Sequence, residues 1–343
     1  MMKVSIIIVN YNKKKLLQNC LKSIENIQYD NYDVIIVDNG STDKSLEFVR
    51  NEYAKHALID MGYNSSFCVA NNIGIAKALK LKSDAVILLN NDTIVDKLFL
   101  AEMVRLVSLN EKIGMIAAKI LLMKQKNKID STGISITPDG LAKNRNVNRD
   151  SSYALESEEV FCPAGAAALY TRELLEDIKE GNDFFDEKYA FYFEELDLGW
   201  RARLRGWKCI YSSDAIVYHY KNATSGVYSK FIAFHTNRNI FYNIIKNYPL
   251  SYCIRALLLT LVRYPLLICG MIIGRGAVGK FQNNLNGIEL IDVTIRGWWD
   301  VWINIISLLK QRRYIQKRKQ VTKLEYARWF KIFGLSFWES LYK

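Results

Sequence analysis

Val34-Ile35-Ile36-Val37-Asp38-Asn39-Gly40-Ser41-Thr42-Asp43 is the stretch that decides the fold. Four apolar residues in a row, without polar alternation, read as a strand covered on both faces. Asp38 stands where that strand ends. Asn39-Gly40-Ser41 is turn chemistry, and Ser41-Thr42-Asp43 supplies capping side chains for a helix over Ser45–Glu52. Outward from this unit the pattern repeats. Val4–Val9 and Ala85–Leu89 are further apolar strands, and Lys14–Ile27 and Ala70–Leu81 carry helical periodicity. Alternating strands and helices predict an α/β fold with a mostly parallel, doubly wound sheet.

Open α/β sheets bind ligands at the carboxyl ends of their strands, so the acids found there are candidate site residues. Asp38 can accept hydrogen bonds from a nucleobase or ribose, although a turn-capping Asp fits the same position, and so does Asp43. Asn90-Asn91-Asp92 follows Val86–Leu89. A carboxylate at such a strand end can hold a hard divalent cation whose other ligands are phosphate oxygens. Only Asp92 is anionic there, so the protein alone would bind metal weakly. Glu194-Glu195-Leu196-Asp197 precedes a helix over Leu196–Leu204. A helix N-terminus favours carboxylates, but three acids in four residues exceed what one cap needs. Close like charges raise one pKa, which suits a general base. Arg201, one turn on, can pair with Asp197. His219 follows an Ala215–Tyr218 strand and is a candidate contact for a metal or diphosphate. Tyr63-Asn64 and Phe67–Gly74 form a loop entering a helix, where Asn64 and Asn71 can reach a nucleotide or cap the helix. A Rossmann glycine fingerprint and a P-loop are both missing, which argues against dehydrogenase and NTPase readings.

At 343 residues with 50% hydrophobic and 24% charged residues, the chain is globular. Its six scattered cysteines form no CxxC pair, as expected for buried thiols in a reducing compartment rather than a zinc site. Val4–Val9 is too short for a signal-peptide core, so a cytoplasmic protein is expected. The formal charge is +12. Lys310–Lys343 holds ten basic and two acidic residues, contributing +8 of it. Tyr252–Gly274 is strongly apolar but interrupted by Arg255, Arg263 and Pro265. Its uncharged part is shorter than the roughly 20 residues a bilayer span takes. Trp298, Trp299, Trp302, Trp329 and Trp338 are of the type found at membrane–water boundaries. An interfacial, non-spanning attachment to an anionic leaflet is the expectation; a buried helical domain with a solvated basic face is its competitor.

The rest of the chain is read coarsely. The polar stretch 124–157 reads as a loop or hairpin insertion on the acceptor side. Ala164–Tyr170 and Lys208–Tyr211 are strands, and the pattern becomes mostly helical beyond about residue 228.

Four motifs in this order resemble family 2 glycosyltransferases of the inverting GT-A fold, particularly the rhamnosyltransferase-like branch. They are Val4-Ser5-Ile6-Ile7-Ile8-Val9-Asn10-Tyr11-Asn12, Val37–Asp43, Asn90-Asn91-Asp92 and Glu194–Arg201. The resemblance covers roughly residues 1–225. It implies a GT-A domain over 1–228, and the pattern and charge beyond it make 229–343 a helical, basic, amphipathic region. The resemblance also implies inverting displacement at the anomeric carbon of a nucleotide-diphosphate sugar. Asn10, Asp38, Asp43, Asn64, Asn71, Asn91, Asp92 and Arg201 would serve the donor. Asp92 and His219 would contact Mg²⁺ or Mn²⁺. Glu195 would be the base that deprotonates the acceptor. Asn90 stands where the family usually has Asp, which weakens the expected metal dependence. Glu195 also stands where Asp is common, which leaves Glu194 or Asp197 as alternative bases.

The resemblance further implies a dTDP-L-rhamnose donor, or a UDP-sugar such as galactofuranose or a hexose, and a polyprenyl-diphosphate-linked glycan acceptor at the inner face of a bacterial cell membrane. A homodimer is compatible with it. A non-catalytic scaffold subunit is the main rival, although such a protein has no need of the full acid set. A nucleotidyltransferase would need glycines that Asn10–Lys15 lacks. A nucleic-acid binder is disfavoured because the charge lies outside the α/β region.

Overall fold

The computed structural model describes residues 1–221, 229–273 and 287–342. The chain packs as two compact units. The first comprises Met1–Ile134, Asn144–Ala190 and Gly206–Ala223, and the second Ser135–Lys143, Phe191–Arg205 and Thr224–Lys343.

The first unit is built on the strands anticipated from the apolar runs: β1 (Val4–Asn10), β2 (Tyr32–Asp38), β3 (Ala57–Asp60) and β4 (Ala85–Leu89). β1 pairs in parallel with β2 and β4, and β2 with β3. Ile6, Ile7, Ile8, Ile35, Ile36 and Val37 are all fully buried, so truncating one of them to alanine would cost about 2–5 kcal/mol. Helices α1 (Lys14–Ile24), α2 (Ser45–Glu52) and α3 (Phe67–Lys80) connect them. α3 starts three residues earlier than its periodicity suggests, because Ser66 Oγ accepts the Val69 amide at 3.2 Å and fixes the first turn. Gly74 lets α3 lie close on the sheet: a Cβ there would meet Ile7 Cγ2 at 2.5 Å.

Beyond β4 come β5 (Thr93–Val95), α4 (Phe99–Val107), β6 (Ile113–Leu122), β7 (Gln125–Ser131), β8 (Ile134–Ile136), β9 (Ala142–Asn144), β10 (Glu158–Val160), β11 (Ala167–Thr171), α5 (Arg172–Ile178), α6 (Glu194–Leu204) and β12 (Lys208–His219). The large sheet runs β10-β12-β6-β11-β4-β1-β2-β3, with β5 on β12 and β7 on β6. It is mixed, since β11 runs antiparallel between β4 and β6. The polar insertion 124–157 holds β7, β8, β9 and a short 3₁₀ turn at Ser151–Tyr153. The two runs expected at 208–211 and 215–218 are one strand. Ser212, Ser213 and Asp214 break its apolar pattern, and its register against β6 shifts between Tyr211 and Ile216.

The second unit holds α6 with α7 (Lys230–Asn247), α8 (Leu250–Ile273), α9 (Gly287–Arg318), α10 (Lys323–Ile332) and α11 (Phe337–Tyr342). Trp200 of α6 is fully buried and stacks on Tyr326 with ring centroids 5.4 Å apart. The apolar segment 252–274 lies in α8, apart from Gly274, which falls outside the described residues. Its Arg263 is buried against Asp139 and donates to Ser340 Oγ at 2.7 Å, so that interruption belongs to the core. Among the described residues, no helix is long and apolar enough to cross a membrane.

Candidate active site

The first unit gathers its polar residues at the carboxyl ends of β1, β2 and β4. Asn10 ends β1 fully buried, and its Nδ2 donates to Asp38 Oδ2 at 3.2 Å and Ser41 Oγ at 3.1 Å. Its Oδ1 accepts from Asn91 Nδ2 at 2.7 Å. One amide thus ties three strand ends together. Asp38 Oδ1 accepts the Ser41 amide at 2.9 Å, an Asx-type turn. Gly40 completes that turn with φ +80°, where a Cβ would lie 2.5 Å from the Tyr63 carbonyl carbon. Asn39, which the motif contains but no site reading singled out, clamps the facing loop. Its Nδ2 donates to Asn64 Oδ1 at 3.1 Å, and its Oδ1 accepts the Ser65 amide at 2.9 Å.

Asp43 caps two helices, accepting the Lys14 amide at 2.8 Å and the Ser45 amide at 3.1 Å. Burial pushes its pKa up, but the hydrogen bonds from Ser45 and Lys14 outweigh burial and hold it below the usual range. Asn71 donates to Phe67 O at 2.8 Å, inside its own helix. Asp43 and Asn71 therefore hold structure in this conformation, whereas Asn10, Asp38 and Asn91 converge.

Asp92 is buried, and its Oδ1 lies 3.3 Å from His219 Nε2. His219 Nδ1 is 2.8 Å from Asp130 Oδ2, and Asp130 also pairs with Lys221. Burial opposes charge on His219, yet hydrogen bonds with Asp130 and Asp92 prevail and push its pKa up to about 9. Burial likewise opposes charge on Asp130, but His219 and Lys221 hold its carboxyl below the usual range. Once a cation displaces the Nε2 proton, a carboxylate oxygen and an imidazole nitrogen this close both suit Mg²⁺ or Mn²⁺. Asp130 fixes the far ring nitrogen in the way that orients a metal-binding imidazole. Among the described residues, no three His, Cys, Asp or Glu side chains converge as a cage, so these residues fit a cation only as a partial set. Asp130 was invisible to sequence reasoning. It lies 89 residues from His219 in a stretch that reads only as polar insertion.

The second unit holds the Glu-Glu-Leu-Asp cluster. Its acids occupy the first turn of α6 itself, not the approach to it. Tyr192 and Phe193, immediately before, have φ of 66° and 67°, an uncommon conformation for aromatic residues. An Asn ladder on α7 supports this turn. Asn239 Nδ2 donates to Phe191 O at 2.9 Å and Tyr192 O at 2.7 Å, and Asn243 Nδ2 reaches Phe193 O at 3.4 Å. Asn247 Nδ2 donates to Asn243 Oδ1 at 3.2 Å and Asp197 Oδ1 at 2.9 Å.

Asp197 is fully compensated. Lys246 Nζ lies 3.0 Å from its Oδ1 and Arg201 Nε 2.8 Å from its Oδ2, with all three side chains buried. Burial would raise its pKa, but the Lys246 and Arg201 charges overcome burial and hold it at about 2. Arg201, expected at the donor, belongs to this ion pair. The two glutamates are the opposite case. Among the described residues, Oε2 of each is buried without a hydrogen-bond partner. Burial raises both pKa values, and the Glu195 charge adds to the rise at Glu194. Lys246 and the Asn ladder were missed, though the i, i+4, i+8 spacing of Asn239, Asn243 and Asn247 on a helical pattern was available as a signal.

Comparison with known proteins bears on the family and the fold. The family model described as Glycosyltransferase like family 2 matches residues 2–233. An uncharacterized glycosyltransferase of Haemophilus influenzae is 34% identical over 100 residues, 28% of this chain and 39% of that one. The teichoic acid poly(glycerol phosphate) polymerase of Staphylococcus epidermidis is 34% identical over 79 residues, 22% of this chain and 11% of its own length. The matches thus span well under two thirds of these relatives. Among solved structures, the mannosyltransferase PcManGT of Pyrobaculum calidifontis, in complex with GDP-Man and Mn²⁺, is similar with a TM-score of 0.55 and 16% identity over 87% of each chain. That likeness establishes the GT-A architecture.

Proposed function

Since this chain belongs to the glycosyltransferase like family 2, we propose that it moves a sugar from a nucleoside-diphosphate donor to a glycan hydroxyl with inversion. The observation that carries this reading is the pair Glu194–Glu195, whose Oε2 atoms are buried without a hydrogen-bond partner among the described residues and whose pKa values are raised. A carboxylate so placed is suited to take a proton. Glu195 is the base and Glu194 its alternate. Asp197, held anionic by Lys246 and Arg201, is a positioning residue. The acceptor oxygen gives its proton to Glu195 and bonds to the anomeric carbon. The bond from that carbon to the diphosphate oxygen breaks, and its electron pair leaves with the nucleoside diphosphate.

Asp38, with Asn10 and Asn91 around it, is assigned to the base or ribose of the donor, and Asp92 and His219 would hold a Mg²⁺ or Mn²⁺ ion. Such an ion supplies Lewis-acid stabilisation of the leaving group. The donor we favour is dTDP-L-rhamnose, with UDP-galactofuranose or a UDP-hexose as the alternative. The acceptor is a polyprenyl-diphosphate-linked glycan at the inner face of the cell membrane, in cell-surface polymer synthesis. The stretch shared with a teichoic acid polymerase supports that setting.

Calorimetric titration of the folded chain with dTDP, UDP and GDP, each with and without Mn²⁺, tests the reading. Metal-dependent binding of one nucleotide is expected, and its identity selects the donor. No binding of any of the three overturns the proposal and favours a scaffold role.

A further inference from the structure

The outward face of α9 has a composition that the transfer reaction does not explain. Ile291, Ile295, Trp299, Trp302, Ile306 and Leu309 recur at spacings of three and four, and each is more than half exposed. They form one stripe on the helix. At 1.5 Å per residue it is about 27 Å long. The opposite face of α9 is the one that packs: Val293, Val301, Leu308 and Ile315 are buried. The stripe is therefore a second apolar surface, in addition to the face a packed helix needs. On α8, Ile254, Leu258 and Leu261 repeat the pattern, each 53–60% exposed. Monomeric soluble proteins rarely leave continuous apolar surface of this extent open to water unless it binds something.

The charges at the end of the stripe indicate its occupant. Past Leu309 the outward positions are Lys310, Arg313 and Lys317, all exposed. The acids nearer the start of α9 are engaged with cations: Glu289 with Lys230, and Asp292 with Arg296. The face thus changes from Trp and Ile to an uncompensated basic run. Indole and aliphatic side chains flanked by Lys and Arg suit the boundary of an anionic bilayer, with the helix lying in the plane of the headgroups. A second copy of the chain would bring the same cations and neutralise none of them.

We infer that the outward stripe of α9, continued by Lys310, Arg313 and Lys317, docks this protein on an anionic phospholipid surface. This deepens the proposed membrane setting by naming the surface that contacts lipid. Its readout needs no sugar transfer, so the two readings fail separately.

The test is co-flotation of the full chain with vesicles of phosphatidylcholine containing phosphatidylglycerol, compared with phosphatidylcholine alone. The wild type should float with the anionic vesicles and shift its tryptophan emission to the blue. The triple variant Trp299→Ser, Trp302→Ser, Ile306→Ser should lose more than tenfold in vesicle affinity. All three positions are exposed, and an unchanged melting temperature will verify that the fold survives. The variant Lys310→Gln, Arg313→Gln, Lys317→Gln should lose about tenfold on anionic vesicles only, and the wild type should weaken as salt rises. Equal binding to both vesicle types, or wild-type affinity in the Trp/Ile variant, would overturn the inference. So would failure to float together with a dimer, seen by ultracentrifugation, that this variant abolishes; that result assigns the stripe to a second copy.

Discussion

Asp92 in the first unit and Glu194 in the second are both buried carboxylates next to another titratable group, and their surroundings differ in one respect. Asp92 faces a cation, His219, that is itself held by Asp130. Glu194 faces a like charge, Glu195, and each has an oxygen without a partner. In the strand-end cluster, the carboxylate lies beside a group that can offset its charge, which suits binding. In the helix-start cluster, the imbalance sits two residues from Asp197, whose charge Lys246 and Arg201 compensate. Carboxylates of one kind thus become a holding group or a proton acceptor according to whether a cation lies within about 3 Å of them.

The largest expected effect is on the unbalanced side. Glu195→Gln should lower the transfer rate by about 10²–10⁴-fold, with nucleotide affinity and fold retained, as measured by turnover and calorimetry side by side. Full activity would remove Glu195 from the base role, and the same loss in Glu194→Gln alone would move the role to its neighbour. The pH dependence comes from the direction of the shifts. Both glutamates have raised pKa values, so the base is lost as pH falls through a value above the ordinary glutamate range of about 4.3. The acid limb of the rate profile should lie correspondingly high. For stability the sign is reversed. A raised carboxyl pKa in the fold contributes stability that is present below the unfolded value and lost as pH rises through the folded one. Glu195→Gln should therefore melt no lower than the wild type at neutral pH.

On the balanced side, Lys246→Met removes one partner of a fully buried pair and should cost about 3 kcal/mol, read by chemical denaturation. Arg201 and Asn247 remain on Asp197. The same variant sharpens the comparison. If Asp197 were the base, losing Lys246 would raise its pKa from about 2 and move the acid limb of the rate profile upward. If Glu195 is the base, the limb stays in place.

In the first unit, Asp92→Asn should weaken Mn²⁺-dependent nucleotide binding by at least about 10–100-fold, the loss seen when only an outer partner of a metal ligand is altered, while metal-free binding changes little. Unchanged affinity with Mn²⁺ would show that His219 and Asp92 form a structural pair.

These contrasts were unevenly legible in the sequence. Asp38 and Asp92 could be read because a strand end is a local event: an apolar run stops and turn residues come next. The Asp197–Arg201 pair was readable for the same reason, since four residues make one helical turn. What compensates or exposes the acids was not. Lys246 and Asn247 reach Asp197 from 49 and 50 residues away, and Asp130 reaches His219 from 89. No periodicity records such pairings, because they arise when separate elements pack. The bulged β12 shows a milder version of the same limit. Its polar interruption looked like an end because sequence shows where alternation fails, not whether the neighbouring strand continues.

The smallest effect separates positioning from structure. Asn239→Ala removes the acceptor of Arg238 Nε and, with it, two hydrogen bonds donated to the carbonyls of Phe191 and Tyr192. The bonds to the carbonyls brace a turn that two positive-φ aromatic residues make costly by about 1–3 kcal/mol each. The loss of stability should be about 3 kcal/mol, small enough for the protein to remain folded at room temperature. If the ladder only supports the fold, kcat measured at saturating substrate should match the wild type. If it also sets the direction in which Glu194 and Glu195 leave the turn, kcat should fall about tenfold while nucleotide affinity in the first unit stays constant. Asn239→Gln, which keeps the amide but misplaces it, should restore stability more than rate. The ladder would then explain why two acids at the start of a helix, where one would serve as a cap, hold an orientation that leaves Oε2 of each without a partner.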